Sequence, residues 1–311
     1  MIGSMMAMAK DFSGKVALIT GGASGMGRGM AGVFARAGMR VAIADIRQDA
    51  LDQTAADYAA SGVDLLPVQL DVTDRDAWVR ATDQVEAQLG PVDVLVNNAG
   101  IGLTGMMREM TYKDWDFAMA VNFGGVLNGV MTLLPRMQDR GAGGHLVVTA
   151  STAGLTAVSG AAAYCAAKFA VTGMMETLAG ELDGTGIDVS IFCPGPVQTD
   201  IASNLSRVRP AHLQNEQAIR DPISPEDAPA QSLFMTPEEV GRRVLSGMQH
   251  KDLFILSHPE FAEGMQARSD ALARAIPREP INQERLALLR QYGTLLLNPI
   301  YAQQQSVQFA G

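Results

Sequence analysis

Tyr164 and Lys168 stand four residues apart in Ala163-Tyr164-Cys165-Ala166-Ala167-Lys168, and Ser151 lies thirteen residues before the tyrosine. Positions i and i+4 share one face of a helix, so this spacing holds an ammonium beside a phenol. The serine hydroxyl arrives from the end of the preceding strand. A phenol titrates near ~10, too high for a base at neutral pH. A unit charge at ~4 Å is worth about 4 kcal/mol at an effective dielectric of ~20. That is enough to bring the phenol down by about three pH units and make Tyr164 a usable acid/base. Taken alone, a Tyr-x-x-x-Lys pair is no more than two helix-surface neighbours, so its surroundings decide the reading.

Those surroundings alternate strand with helix. Residues 15–20, 40–45, 65–70, 92–97, 144–150, 188–193 and 252–256 read as strands, several of them near-continuous Val/Ile/Leu/Ala runs of the kind buried on both faces. Helical patterns cover 26–37, 75–89, 112–140, 161–182 and 237–250. The fold class expected is α/β: one Rossmann domain with a doubly wound, seven-stranded parallel sheet and helices on both faces. Thr236-Pro237-Glu238-Glu239 carries the signals of a helix start: a capping hydroxyl, an early proline and a glutamate at the third position. Residues 199–235 are long, polar and aperiodic, and they follow a strand end, as a substrate lid would. Beyond the domain, 260–275 and 282–297 read as helices separated by Pro277 and Pro280. The organisation expected is a disordered leader over 1–10, the domain over 11–257, and a helical extension over 258–311 that packs on its own domain or on a neighbouring subunit.

Composition narrows the partners. The 311 residues are 47% hydrophobic and carry a formal net charge of −9, with a pI near 4.9. An acidic chain is a poor match for nucleic acid or anionic membrane. No run of about 20 unbroken apolar residues suggests a membrane span, and residues 1–10 lack the basic and apolar regions of a secretory signal. Two cysteines, Cys165 and Cys193, make no disulfide framework, which fits a reducing cytoplasm. The four histidines are too scattered to hold a metal.

The first strand runs into Thr20-Gly21-Gly22-Ala23-Ser24-Gly25-Met26-Gly27 at the start of a helix. Small residues there let backbone N–H groups and the positive helix end approach a pyrophosphate. Asp45, with Ile46 beside it, ends the second strand and is suited to the hydroxyls of an adenosine ribose. Its charge would repel a 2′-phosphate, which favours NAD. Arg47, two residues on, could neutralise such a phosphate, so NADP stays open.

These motifs together resemble the short-chain dehydrogenase/reductase family over about residues 11–256. In order they are Thr20-Gly21-x-x-x-Gly25-x-Gly27, Asp71, Asn97-Asn98-Ala99-Gly100, Asn122, Ser151, Tyr164-x-x-x-Lys168 and Pro194-Gly195-x-Val197-x-Thr199. The resemblance implies that Asp71 and Val72 meet the adenine, and that Asn98, Ala99 and Gly100 meet the adenosine ribose and brace the central strand. Pro194, Gly195, Val197 and Thr199 would cradle the nicotinamide, and Lys168 its ribose. It also implies a Ser151-Tyr164-Lys168-Asn122 tetrad that interconverts a secondary alcohol and a ketone, with Asn122 bending its helix and holding a proton-relay water. A homodimer or homotetramer built through the two long middle helices is the usual assembly. Acidic residues and no further cation follow Lys168 on its helix, which argues against a carrier-bound substrate. The segments 203–210 and 253–260 are similar to those of benzylic-alcohol Cα-dehydrogenases acting on lignin-type aryl ethers, which suggests a bulky apolar substrate beneath Ile201, Leu205, Val208 and Leu213. The rival class, a non-catalytic NAD(H) sensor, commonly lacks the tyrosine, lysine or serine that all stand here.

Overall fold

Along β1 (Val16–Thr20) every residue is buried, and neighbouring side chains go to opposite sides. Val16 and Leu18 join one core, and Ala17 and Ile19 join the other. This period-two split puts the strand between two helical layers. The computed structural model describes residues 9–199, 201, 205–214, 233–292 and 299–304. It contains β2 (Arg40–Asp45), β3 (Leu65–Gln69), β4 (Val94–Asn97), β5 (Gly144–Thr149), β6 (Ile187–Cys193) and β7 (Phe254–Leu256). The seven strands pair in parallel in the order β3-β2-β1-β4-β5-β6-β7. The doubly wound sheet read from the sequence is therefore present.

Helices α1 (Gly25–Arg36) and α2 (Gln48–Ala59) pack on one face, and α3 (Arg75–Leu89), α5 (Gly125–Arg140) and α6 (Ala162–Glu181) on the other. Between α3 and α5 runs α4 (Tyr112–Met119), joined to α5 by a π turn over Ala120–Gly124. After the short turn α7 (Leu205–Val208), α8 (Pro237–His250) returns to the α1 side. Its expected capping box forms between Thr236 and Glu239. The sequence pattern missed α2, and the reason is physical: only Leu51 and Thr54 of it are buried, too narrow a stripe to show a period. The run Tyr112–Arg140 is long and apolar enough by composition to cross a membrane, a feature the sequence reading did not flag. Here half of its most apolar stretch is buried, and Val126, Val130 and Leu133 belong to the core against the sheet.

Both sheet edges are managed. Pro67 cannot donate to a ladder, and it lies in β3, which pairs with β2 alone. At the other edge Gln304 accepts from Phe254 N–H at 2.8 Å and Tyr301 stacks on the Phe254 ring. The described part of the extension contains α9 (Ala262–Ala275), α10 (Gln283–Gln291) and, beyond residues 293–298 outside the described set, the turn Pro299–Gln303. Residues 1–8 of the expected leader also lie outside it, while Lys10 is tied to Asp188 at 2.7 Å. Of the expected lid over 199–235, residues 199, 201, 205–214 and 233–235 are described.

Candidate active site

Strand order reverses between β1 and β4, and a crevice of about 230 Å³ opens beyond their C-terminal ends. Strands β1 to β4 each deliver a residue to it by ending there: Gly21 after β1, Asp45 from β2, Asp71 after β3 and Asn98 after β4. The glycine-rich turn is shaped for a close approach. Gly25 has φ +49°, and a methyl group on Gly27 would stand 2.1 Å from the Gly21 carbonyl oxygen. Side chains are excluded at both places, so the turn stays tight against the first residues of α1. That cradle fits a dinucleotide pyrophosphate.

Ser24, Gly25, Met26, Ile46, Val72, Ala99, Gly100 and Thr199 line the same crevice, as expected. Asn98 binds three strands at once: its N–H and amide donate to Thr20, and its Oδ1 accepts from Thr149 Oγ1 at 3.1 Å. Asp71 accepts from the backbone and hydroxyl of Thr73 at 2.9 and 2.8 Å, which fixes its carboxylate at the rim. Arg47 is not a solvated side chain. Its Nε lies 3.4 Å from Asp45 Oδ1 and its Nη2 donates to Ser24 Oγ at 3.1 Å, so it spans the crevice from the end of β2 to the glycine-rich turn.

Gly27, Pro194, Gly195 and Val197 do not line the crevice, and neither do Asn122, Ser151, Tyr164 and Lys168, which stand beside it. Gly27 supports it from behind. Pro194 and Gly195 follow β6, where Pro194 O accepts from Thr152 N–H at 3.1 Å and Gly195 N–H donates to Ser257 Oγ at 2.9 Å. Val197 bridges to Met235, and the Thr199 methyl reaches within 3.1 Å of where a Gly25 side chain would begin. This chain segment connects the crevice with the hydroxyl cluster beside it.

That cluster stands at the end of β5. Ser151 is buried, accepts from Ala153 N–H at 3.1 Å and lies beside the Tyr164 phenol. Lys168 is 3% exposed and donates from Nζ to Thr149 O at 2.8 Å. Its Nζ lies 5.6 Å from the centre of the Tyr164 ring. Asn122 is fully buried in the π turn and exchanges hydrogen bonds with Ile101 at 2.9 and 3.0 Å. Lys168 and Asn122 both reach Gly100: a methyl group there would meet Asn122 Oδ1 at 2.9 Å and Lys168 Nζ at 3.6 Å. The crevice and the cluster therefore share a wall.

The electrostatics differ from the sequence expectation. Burial pushes the Tyr164 pKa above its ordinary value, and the facing Ser151 hydroxyl offsets only part of that rise. Burial also draws Lys168 down to about 8. The i, i+4 spacing brings the cation near the ring, but its hydrogen bond goes to Thr149 and desolvation outweighs charge pairing. Cys193 is pushed up to about 12 by burial, so it is no nucleophile, and Cys165 packs between Ala153 and Ala161.

The sequence reading also missed Phe117, Ala120 and Val121, which line the crevice from α4 and the π turn. Their only sequence signal is the i, i+4 spacing of Phe117 and Val121 just ahead of Asn122. From the segment expected as a lid, Ile201, Val208 and Leu213 line it as well, whereas Leu205 is buried against Ile101, Leu103 and Phe117 and does not line it.

A family model described as short chain dehydrogenase matches residues 15–209. The C alpha-dehydrogenase of Sphingobium sp. (strain NBRC 103272 / SYK-6) is 35% identical over 274 residues, covering 86% of this chain and 88% of that protein. A short-chain dehydrogenase structure from Novosphingobium aromaticivorans superposes with a TM-score of 0.80 at 35% identity, covering 95% of this chain and all of that one. A short chain dehydrogenase/reductase from Burkholderia phymatum, solved in complex with NAD, gives a TM-score of 0.77 at 31% identity, covering 88% of this chain and 99% of its own. With a family model matched over 15–209 and relatives of nearly its own length at 31–35% identity, this chain belongs to the short-chain dehydrogenase family.

Proposed function

We propose that this oxidoreductase interconverts a bulky apolar or aromatic secondary alcohol and its ketone, using NAD. The observation that carries the reading is the meeting of Ser151 with Tyr164, while Lys168 from the same helix reaches the crevice wall at Gly100. When bound, NAD supplies the hydride acceptor and its reduced form the donor. Gly21, Ser24, Gly25, Met26 and the α1 terminus would hold its pyrophosphate, with Gly27 keeping the turn closed. Asp45 and Ile46 would hold the adenosine ribose, and Asp71 and Val72 the adenine. Pro194, Gly195, Val197 and Thr199 would hold the nicotinamide, and Lys168 with Tyr164 its ribose.

In this reading Ser151 Oγ donates a hydrogen bond to the substrate oxygen and sets its distance from Tyr164 Oη. Tyr164 Oη takes the hydroxyl proton in oxidation and returns it in reduction. Burial keeps the phenol protonated near neutrality, so it is ready as the acid for reduction, and oxidation gains as pH rises. Lys168 Nζ, charged near neutrality, favours the phenolate that forms as the proton passes between Tyr164 and the substrate. Asn122, in its opened helical turn, keeps a proton route to Lys168. The apolar wall of Ile101, Phe117, Val121, Ile201, Val208 and Leu213 supports a large hydrophobic substrate, as does similarity to a C alpha-dehydrogenase. The enzyme then works on a small molecule in the cytoplasm as a homo-oligomer. The position of Arg47 between Asp45 and Ser24 favours one alternative, an NADP-linked ketone reductase.

The test is Tyr164→Phe assayed with NAD on aryl-alkyl carbinols and short aliphatic alcohols. Turnover should fall by about a hundredfold or more, while NAD binding measured by calorimetry stays within about threefold. Residual activity above about a tenth of wild type would remove Tyr164 from the chemistry. Preference for the small alcohols would remove the substrate class.

A further inference from the structure

We infer that Arg209 is a specificity-determining positioning residue, whose buried pair with Asp114 holds residues 205–214 in place as the apolar wall of the crevice. This deepens the proposed function and rests on it for the substrate class. The two side chains are 95 positions apart in sequence and meet at 2.7 Å, with 1% and 8% of their surfaces exposed. Asp114 divides its work between two oxygens. Oδ2 accepts from the Thr111 backbone and hydroxyl and so completes the capping box of α4, while Oδ1 receives Arg209. Burial raises the Asp114 pKa, but the Thr111 bonds and Arg209 outweigh it and the carboxyl stays below its ordinary value.

The guanidinium has further contacts. Nε donates to Leu213 O at 2.6 Å, and the group lies 5.5 Å from the centre of the Phe117 ring. Gln214 closes the segment by donating to Arg209 O at 2.8 Å, and Lys113 of α4 donates to Gln214 O at 3.0 Å. Arg209 Nη2 is buried with no acceptor among the described residues. A pair this buried and incompletely satisfied is a weak source of stability. What such a pair does supply is register: one fixed position of the segment against α4. The register decides the crevice wall, because Val208, Pro210 and Leu213 flank Arg209 on the segment and Phe117 and Val121 face them.

The experiment compares wild type with Arg209→Met, Arg209→Lys and Asp114→Asn in the full chain. Amide hydrogen exchange of residues 205–214 is read without any substrate. NAD-linked oxidation is read on 1-phenyl-1-butanol and on 2-propanol. In Arg209→Met the segment should exchange about tenfold faster or more. KM for the aryl carbinol should rise about tenfold with kcat within about threefold, while 2-propanol is nearly unaffected. Arg209→Lys, which still reaches Asp114, should recover much of both effects. Asp114→Asn keeps an acceptor for Thr111 yet drops the charge, and it should behave like Arg209→Met, standing in for that variant should it fail to fold. Unchanged exchange, or equal losses on both alcohols, overturns the assignment. A wild type that oxidises neither alcohol refutes the proposed function, and the exchange measurement then still decides whether Arg209 holds residues 205–214.

Discussion

Lys168→Met should separate the cost of the buried lysine from its use. The ammonium is 3% exposed and its hydrogen bond goes to a neutral carbonyl, and burial lowers its pKa from 10.5 to about 8. At about 1.36 kcal/mol per pH unit, keeping that charge in the folded state at pH 7 costs about 3 kcal/mol. Between pH 8 and 10.5 the unfolded chain holds the proton and the folded chain does not, so stability rises with pH through that window. By pH 10 about 2 kcal/mol of the cost has gone. The methionine variant has no such ionisation. It leaves Thr149 O without its donor, a loss of about 1–3 kcal/mol that does not change with pH. Urea unfolding at pH 7 and pH 10, followed by the fluorescence of buried Trp78, gives both stabilities. Wild type should gain about 2 kcal/mol on the variant over that range, while the variant turns over no alcohol at either pH. Equal pH dependence in the two proteins would refute the claim that desolvation dominates at this lysine.

Asp45→Ala should lower the ratio of kcat/KM for NAD over NADP by about tenfold, since a bare charge clash of several kcal/mol is largely screened at a crevice rim; steady-state kinetics with both cofactors checks it, and no change would return the preference to other groups. His145, wholly buried against Ser190 and Phe12, is held down to about 3 by burial. The unfolded chain takes up its proton below 6.5, so stability falls with acid, by about 2 kcal/mol between pH 7 and 5. His145→Gln should flatten that fall in urea unfolding.

The parts legible in the chain were local. The strands were legible because the central ones, such as β1 and β4, are buried along their whole length and read as nearly unbroken apolar runs. The glycine spacing from Gly21 to Gly27 was legible because only glycine tolerates a neighbour at 2.1 Å from its missing side chain. Helix α2 was not legible, since it buries too little to show a period. The ion pair between Asp114 and Arg209 could not be read at all, because nothing in either local sequence names a partner 95 residues away.

Ser151, Tyr164 and Lys168 show the same division. Residue type and spacing determined that Ser151, Tyr164 and Lys168 would come together, because a strand end and one helix face bring them there. Which state the phenol prefers was decided only by tertiary structure. The short-range attraction of a cation four residues away is visible in sequence, but the removal of water from both groups depends on every chain segment that closes over them. In this fold the second effect is the larger.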